Sequence, residues 1–367
     1  IPKKETNPFL IFLIIIMKLT IATALLLAAT AQAATSAPFS YSDQAINGPH
    51  NWAKLPIDNN QCAGQKNSPI AVETSDCDRY EDYKFDHGTC LIRDLKFDLT
   101  DTGVKASYPS DGACQNPTVE IPGIPGKYQA LQFHIHTSSE HTIDGEFFSA
   151  ELHTVHKEIN GDRFAVVGMM IQPSSNMEHE NFGALLAGWQ AKYVANERWC
   201  GVGIDDSVAT SGGGGRRELE DVSEAQRKLQ FVPFSPYDMI PEGATYYHYD
   251  GGLTTPPCSE VVWWNLADKP VAISPAQYNM LVNHVLHYTE PNKDCELGTN
   301  AGPVGSTSRP VQPLNGRTVE RICPVGFKEN EPAPTTNESD GDSAASSIMT
   351  SALTIATIVG GISSLLL

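Results

Sequence analysis

Basic residues are scarce in this chain. Its 367 residues include 25 Lys and Arg against 43 Asp and Glu, and the formal net charge at pH 7 is −18. Binding to nucleic acid depends on Lys and Arg that neutralise phosphates, so we exclude nucleic acid as a partner. The acidic excess is mostly solvated surface and identifies neither a substrate nor a protein partner. With 41% hydrophobic residues, the chain is long enough for one large globular domain with tails.

Two further patterns are missing. The chain contains no Cys-x-x-Cys pair, which argues against a zinc finger, and it contains no internal repeat. Eight cysteines are nevertheless present. This number agrees with a secretory route, because disulfides form and persist in oxidising compartments.

The amino-terminal residues are typical of targeting sequence. The chain does not begin with Met; Met17-Lys18 is followed by an apolar run and by the small-residue cleavage site Ala31-Gln-Ala33. We predict that residues 17–33 are a signal peptide and that residues 1–16 are upstream sequence that is not native. One long N-terminal anchor is the alternative, and Lys18 argues against it.

The carboxyl-terminal residues 348–367 are apolar, and no basic residue follows them. They come after small residues and a Pro/Thr/Asp-rich stretch, residues 326–347, which we predict to be a stalk with a glycosylation sequon at Asn337. This order is typical of a glycolipid-anchor signal. A transmembrane helix is the alternative, since about 20 apolar residues span a bilayer. Both interpretations predict a membrane-anchored domain on the extracellular side of the cell surface.

Histidines recur at strand spacing in two segments, Gln132-Phe-His-Ile-His136 and Ala150-Glu-Leu-His-Thr-Val-His156. Side chains two residues apart leave the same face of a strand, so His134 and His136 project together. If the two segments pair as neighbouring strands, these two residues converge with His153. Three neutral imidazoles with a fourth position left open are the ligand set of a catalytic zinc site.

The alternative is that these histidines are hydrogen-bonded structural residues, since a single His-x-His occurs by chance in many chains. A third histidine in phase favours the metal site. Ligating histidines usually donate their other ring N–H to an oxygen. Gln132 and Glu151 each lie two residues from a candidate ligand and on its face, so we predict that both support the ligands.

A distant segment, Tyr249–Trp264, joins a Gly turn to Leu253-Thr-Thr-Pro-Pro257 and then to an apolar strand. Taken with the histidine segments, it resembles the α-class carbonic anhydrases. Their signature is Gln-Phe-His-x-His, Ser-Glu-His, Ala-Glu-Leu-His-x-Val-His and Leu-Thr-Thr-Pro-Pro, and this chain has all four in that order. The resemblance covers residues 39–325, which we predict to form one catalytic domain. Further family-like landmarks are Asn47–Trp52, Asn67–Ile70, Ile240–Glu242 and Arg309–Leu314.

The resemblance implies a zinc enzyme that interconverts carbon dioxide and bicarbonate. Zn²⁺ would bind His134, His136 and His153, and a hydroxide at the open position would attack carbon dioxide. By resemblance, Thr254 accepts the hydroxide proton and passes its own proton to a buried glutamate, here Glu140. The alternative for Glu140 is a buried ion pair with a neighbour.

The resemblance also implies an apolar pocket for carbon dioxide beside the metal. The matching positions are Val155, Val166, Leu253, Val262 and Trp264, each of which is also consistent with an ordinary core residue. Tyr249 and Thr255 are expected to hydrogen-bond near Thr254 and the water chain.

Secreted members of the family join cysteines at the positions of Cys62 and Cys258, so the resemblance predicts this disulfide. The other six cysteines allow 15 pairings, and the sequence does not choose among them. The chain departs from the family pattern where a proton-carrying histidine would follow a glycine, since Gly103 is followed by Val104. We therefore predict no proton shuttle. Thr137-Ser138 and the short loop after it are typical of bacterial, plant and algal members.

The predicted fold is mixed and β-dominated: by resemblance, a single domain built on a large central, mostly antiparallel twisted sheet with peripheral helices. Periodicity predicts strands at Gln132–His136, Glu151–His156, Ala165–Ile171, Val261–Asn265 and Val271–Ile273, and helices at Glu178–Ala195 and Pro275–His287. Gly212–Arg217 is predicted to lie in a flexible, exposed loop.

Two classes of function remain open. The first is an active zinc lyase at the cell surface, and the second is a catalytically weak or silent binding module on the same fold. Family relatives that lost zinc histidines illustrate the second class. The ligand set discriminates between the two classes, and all three histidines are present here.

Overall fold

The computed structural model describes residues 39–201, 233–291, 294–301 and 306–328. The predicted upstream segment, signal peptide, Gly-rich loop, sequon and apolar tail lie outside the described residues, and so does the predicted stalk from residue 329 onward. Within the described ranges, no helix is long and apolar enough to cross a membrane.

Strands dominate the described chain. Numbered in order, they are β1 Ala71–Val72, β2 Arg79–Tyr80, β3 Lys84–Asp86, β4 Lys96–Thr100, β5 Gly103–Ser107, β6 Thr118–Glu120, β7 Tyr128–His136, β8 Thr142–Ile143, β9 Ala150–Glu158, β10 Phe164–Gln172, β11 Tyr246–Gly251, β12 Val262–Ala272 and β13 Glu320–Cys323. The α-helices in the same ranges are α1 Glu180–Trp199 and α2 Pro275–Leu286, and short 3-10 helices lie at Pro49–Lys54, Ile92–Asp94 and Pro236–Met239.

One sheet of 11 strands organises the domain. Its main path runs β2-β13-β11-β12-β10-β9-β7-β5-β4, and β6 joins β7 to β3. Its pairs are antiparallel except β10 with β12 and β13 with β2. The short strands β1 and β8 form a separate parallel pair. The predicted β-dominated, mostly antiparallel architecture is confirmed.

The sheet buries one face against the helices. Phe133 and Ile135 of β7 join an apolar cluster with Leu152 of β9, Trp189 of α1 and Leu281 of α2. Burying each such side chain contributes about 1.5–3 kcal/mol. A slip of one residue would turn these side chains outward and the histidines between them into the core, so the register is strongly specified.

Sequence periodicity placed the helices within a few residues. Helix α2 begins at Pro275 as predicted, because the Ser274 hydroxyl accepts the Gln277 N–H at 3.2 Å and the Gln277 side chain accepts the Ser274 N–H at 3.1 Å. This reciprocal pair is a capping box. Helix α1 begins two residues later than predicted and extends four residues further, to Trp199.

The prediction of two separate strands at Val261–Asn265 and Val271–Ile273 was wrong. They belong to one strand, β12, whose register against β10 shifts between Ala267 and Val271. Pro270 lies within this irregularity, and it has no N–H to donate to a ladder. The break in the sequence pattern therefore marks a local bulge in a continuous strand.

Four disulfides stabilise the domain: Cys62–Cys258, Cys77–Cys323, Cys90–Cys114 and Cys200–Cys295. The first joins residues 196 positions apart. In the chain-entropy description, a loop of this length stabilises the fold by about 5 kcal/mol. It also ties the loop that carries Thr254 to the amino-terminal part of the domain, where the Gln61 N–H donates to the Pro257 carbonyl at 2.8 Å.

Candidate metal centre

Three histidines converge on one face of the sheet. Strands β7 and β9 pair so that His134 lies opposite His153, and His136 lies opposite Glu151. The three ring centroids are 4.9 to 5.2 Å apart. One nitrogen from each ring lies within 4.8 Å of the nitrogens of the other two. The alternation inferred from the sequence therefore brings the three nitrogen donors into a single cluster.

An oxygen atom orients each of the three rings. The contacts are His134 Nδ1 to Gln132 Oε1 at 2.9 Å, His136 Nδ1 to the Thr307 carbonyl at 2.6 Å, and His153 Nε2 to Glu151 Oε1 at 2.7 Å. Amide, carbonyl and carboxylate oxygens accept hydrogen bonds, so these nitrogens carry the protons. The lone pairs are consequently on Nε2 of His134, Nε2 of His136 and Nδ1 of His153.

Of the three groups that orient the rings, Glu151 makes the most hydrogen bonds. Its Oε2 accepts the backbone N–H groups of Glu140 and His141 at 2.8 and 2.9 Å, and its Oε1 also accepts from His141 Nδ1 at 2.7 Å. Burial would raise the pKa of Glu151, but the charges and hydrogen bonds of His141 and His153 outweigh it and hold that pKa well below its usual range. The carboxylate is therefore an anion that increases the basicity of His153.

A second possible donor group consists of His141, Glu151 and His153. Its ligand atoms already bond to one another, since both histidines contact Glu151 Oε1 at 2.7 Å. We therefore interpret this group as the support behind His153 and not as another metal site.

Burial lowers the pKa of both His134 and His136, and in His134 the neighbouring histidine charges add to the effect. The two rings are held neutral, which is the form that binds metal. Burial acts in the same direction on His153, but the charge and hydrogen bond of Glu151, together with the charge of Glu140, outweigh it and raise the pKa of His153. Metal binding at this residue would therefore displace a proton.

The residues fit a zinc ion. Within the described chain, His136 Nε2 and Glu140 Oε2 are buried without hydrogen-bond partners, and they lie 3.4 Å apart. A buried polar atom without a partner is costly, so it requires an explanation. A cation with its water would provide one, since three imidazole nitrogens with an open position are a zinc donor set.

Glu140 lies at this centre, and no hydrogen bond joins it to Thr254 within the described residues. The Glu140 Oε1 atom accepts the Arg309 N–H at 2.9 Å. The Oε2 atom has no hydrogen-bond partner among the described residues, Thr254 included, and lies 3.4 Å from His136 Nε2 and 3.9 Å from His153 Nδ1. Thr254 is buried, with 5% of its surface exposed. The neighbouring Thr255 contributes its carbonyl, which accepts the Cys258 N–H at 2.8 Å.

Tyr249 extends the polar network behind the histidines. Its hydroxyl lies 2.7 Å from His141 Nε2 and 2.9 Å from Ser68 Oγ. The Ser68 oxygen also accepts the Gly252 N–H at 3.2 Å. A continuous chain of hydrogen bonds therefore links Glu151, through His141, to the loop before Thr254.

An apolar wall lies beside the histidines. Val155, Val166, Val262 and Trp264 belong to one buried cluster, against which the partly buried Leu253 packs. Val155 is opposite Val166, which is opposite Trp264. The Trp264 ring lies 4.8 Å from that of His153. All five positions predicted for a carbon dioxide pocket are thus brought together, and they are also part of the core.

Sequence reasoning missed several residues of the site. Thr307 holds His136 from 171 positions away, and no local pattern predicts such a contact. Gly168 lies opposite His153, where a Cβ atom would be 2.6 Å from Leu266 and 3.3 Å from Glu151 Oε1. Glycine therefore leaves room for the Leu266 side chain first and for the carboxylate beside it. His141 belongs to the Ser-Glu-His segment, so its presence was visible but its two contacts were not.

Fold and site together define a β-sheet protein with a metalloenzyme-like, three-histidine centre beside an apolar wall. The chain belongs to the eukaryotic-type carbonic anhydrase family, whose model matches residues 47–197 and 216–323. The predicted membership and the predicted enzyme class are confirmed.

The chain is similar along most of its length to curated carbonic anhydrases. It is 28% identical to carbonic anhydrase 1 of Mus musculus over 296 residues, which covers 77% of this chain and 98% of the relative. It is also 28% identical to a carbonic anhydrase of a Nostoc strain, with 74% and 82% covered. The solved α-carbonic anhydrase of Photobacterium profundum is 22% identical, with a TM-score of 0.51, and covers 77% of this chain and 100% of its own. That likeness supports the fold.

Proposed function

We propose that this protein catalyses the zinc-dependent, reversible hydration of carbon dioxide to bicarbonate and a proton. The observation that carries the proposal is the convergence of three lone pairs, on His134 Nε2, His136 Nε2 and His153 Nδ1. These atoms would hold Zn²⁺. The bound ion would supply the Lewis acidity that allows water to act as a nucleophile near neutral pH.

The surrounding residues have separate tasks in this proposal. Gln132, Glu151 and the Thr307 carbonyl hold each imidazole in the tautomer that presents its lone pair to the metal. Because Glu140 Oε1 is committed to Arg309, its Oε2 is left to accept a hydrogen bond from the Thr254 hydroxyl. The Thr254 oxygen would then accept a hydrogen bond from the attacking nucleophile and aim that nucleophile's lone pair at carbon dioxide.

The remaining side chains hold the substrate and the loop. Carbon dioxide is apolar, so it would lie against the valine and tryptophan wall, with Leu253 at its edge. Tyr249, through His141, ties the loop to the Glu151 carboxylate. Thr255 supports the same loop through its carbonyl contact with Cys258.

Zinc removal tests the proposal directly. We expect the purified domain to contain about one zinc per chain and to hydrate carbon dioxide. A chelator should abolish both properties, and added zinc should restore them. Metal content by atomic absorption and hydration by stopped flow check this expectation. A wild-type protein that stays free of zinc and inactive after incubation with zinc would overturn the proposal.

Turnover is expected to depend on external buffer. Among the described strands of the large sheet, the only histidines on the face of the site are the three proposed ligands, and Val104 is buried opposite Ile135 in the core. A proton leaving the site would therefore be taken up by buffer. We expect kcat to rise several-fold with buffer concentration at constant ionic strength while kcat/KM stays unchanged. Equal kcat in dilute and concentrated buffer would contradict this prediction.

We further propose that the enzyme acts on the extracellular side of the cell surface. The four disulfides support this location, because such bonds persist in oxidising compartments. The predicted signal peptide and the predicted carboxyl-terminal membrane anchor agree with it. The intact ligand set favours the enzyme over a silent binding module.

A further inference from the structure

A row of ionisable side chains crosses the sheet from its β4 edge to the metal centre. Asp98 lies opposite Lys105, Lys105 opposite His134, and His134 opposite His153. Residues directly opposite each other on adjacent strands project from the same face. Lys105 therefore belongs to the face of the site, whereas its neighbour Val104 is fully buried in the core on the other face.

Among the described residues, Lys105 has no partner for its charge. Its neighbour Asp98 is committed to Lys96, whose Nζ lies 2.9 Å from Asp98 Oδ2. No hydrogen bond or ion pair involves the Lys105 ammonium in the parts of the chain that the structure describes. The Lys105 carbonyl, in contrast, accepts the Trp189 Nε1–H at 2.9 Å. The backbone is thus anchored to helix α1, and the half-buried side chain remains available to the site.

The ammonium is within reach of the centre. Directly opposite residues have Cβ atoms about 4.5–5.5 Å apart, and a lysine carries its charge on a flexible four-carbon stem.

We propose that Lys105 determines specificity by strengthening the binding of anions, bicarbonate included, at the three-histidine centre. This inference rests on the proposed function. Carbon dioxide is neutral and bicarbonate is an anion, so a fixed positive charge stabilises the bicarbonate complex selectively. Between unit charges the interaction falls with distance and with the local dielectric constant. For a half-buried ammonium partly screened by water, we expect an effect on the order of fivefold in anion affinity.

The test compares Lys105→Gln and Lys105→Met with wild type, using thiocyanate as an inert monovalent anion. The dissociation constant is measured by calorimetry on the zinc-loaded protein at low ionic strength. Both neutral variants should bind thiocyanate about fivefold more weakly, and Lys105→Arg, which keeps the charge, should bind nearly as wild type does. Added salt should shrink the difference, because it screens the interaction.

The double variant Lys96→Gln, Asp98→Asn is the matched control. It removes the ion pair on the next strand as a whole, so no free carboxylate is left opposite Lys105, and thiocyanate affinity should change little. Unchanged affinity in both neutral Lys105 variants would overturn the inference, as would an equal loss in the double variant. Zinc content and carbon dioxide hydration of the wild type are measured in parallel. A wild type without zinc and without hydration activity would overturn the proposed function. A failure of the inference alone would leave both properties intact.

Discussion

His153→Ala is expected to lose zinc and to reduce carbon dioxide hydration to background. Loss of an outer hydrogen-bond partner typically costs about 10–100-fold in metal affinity, and loss of a ligand should cost more. His153 forms one corner of a nearly equilateral triangle of rings, 5.2 Å from His134 and 4.9 Å from His136. Two remaining nitrogens do not make a catalytic zinc site, which needs three protein ligands.

The same substitution should also lower stability. Glu151 is fully buried, and its Oε1 would keep only His141 as a side-chain partner. A buried group that loses a hydrogen-bond partner costs about 1–3 kcal/mol. Zinc content, hydration rate and melting temperature, measured on the same preparation, separate the metal effect from the stability effect.

His156→Ala is the matched control for His153→Ala. His156 lies three residues further along β9 and projects from the opposite face, where its Nε2 contacts the Tyr237 hydroxyl at 2.6 Å. Its removal should lower stability while leaving a full complement of zinc. Retention of zinc and rate by His153→Ala, or their loss in a folded His156→Ala, would contradict the ligand assignment.

Glu140→Gln is expected to keep its zinc and to lose hydration activity by about 100-fold, the range measured when one oriented hydrogen-bonding group is removed from an active site. The substitution preserves shape but replaces one carboxylate oxygen with an NH₂ group. The amide oxygen can still accept the Arg309 N–H, so the NH₂ group would then occupy the place of Oε2. That group donates and cannot accept the proton of Thr254.

The measurement for Glu140→Gln is kcat/KM by stopped flow together with zinc content. Glu146→Gln makes the same chemical change at an exposed position between β8 and β9 and should behave as wild type. Loss of zinc in Glu140→Gln would indicate that Glu140 supports metal binding and does not act by orienting Thr254. Wild-type activity in that variant would remove Glu140 from the mechanism altogether.

The strand predictions succeeded where the local pattern was strong. Alternation alone placed Phe133 and Ile135 in the core and the histidines on the other face, and the register of β7 with β9 shows this arrangement. The same reasoning misjudged β12, because a bulge near Pro270 interrupts the pattern without ending the strand. Local sequence therefore predicted the faces of strands better than their extents.

The residues of the candidate site likewise fall into those that local sequence predicted and those that it did not. Gln132 and Glu151 were within reach of prediction because they lie two residues from the ligands that they hold. The Thr307 carbonyl and the space at Gly168 were not, because they meet the site only after distant strands have paired. Lys105 was likewise overlooked, since only the register of β5 with β7 shows that it and not Val104 projects from the face of the site.

The sequence by itself determined the donor types, their alternation along each strand and the family-like motifs, because these depend on residue identity and on a period of two. Tertiary structure alone decided which oxygen holds His136, how six of the cysteines pair, and which side chain of β5 faces the candidate metal centre. These properties depend on contacts between residues far apart in the chain, and only the packing of the completed sheet specifies such contacts.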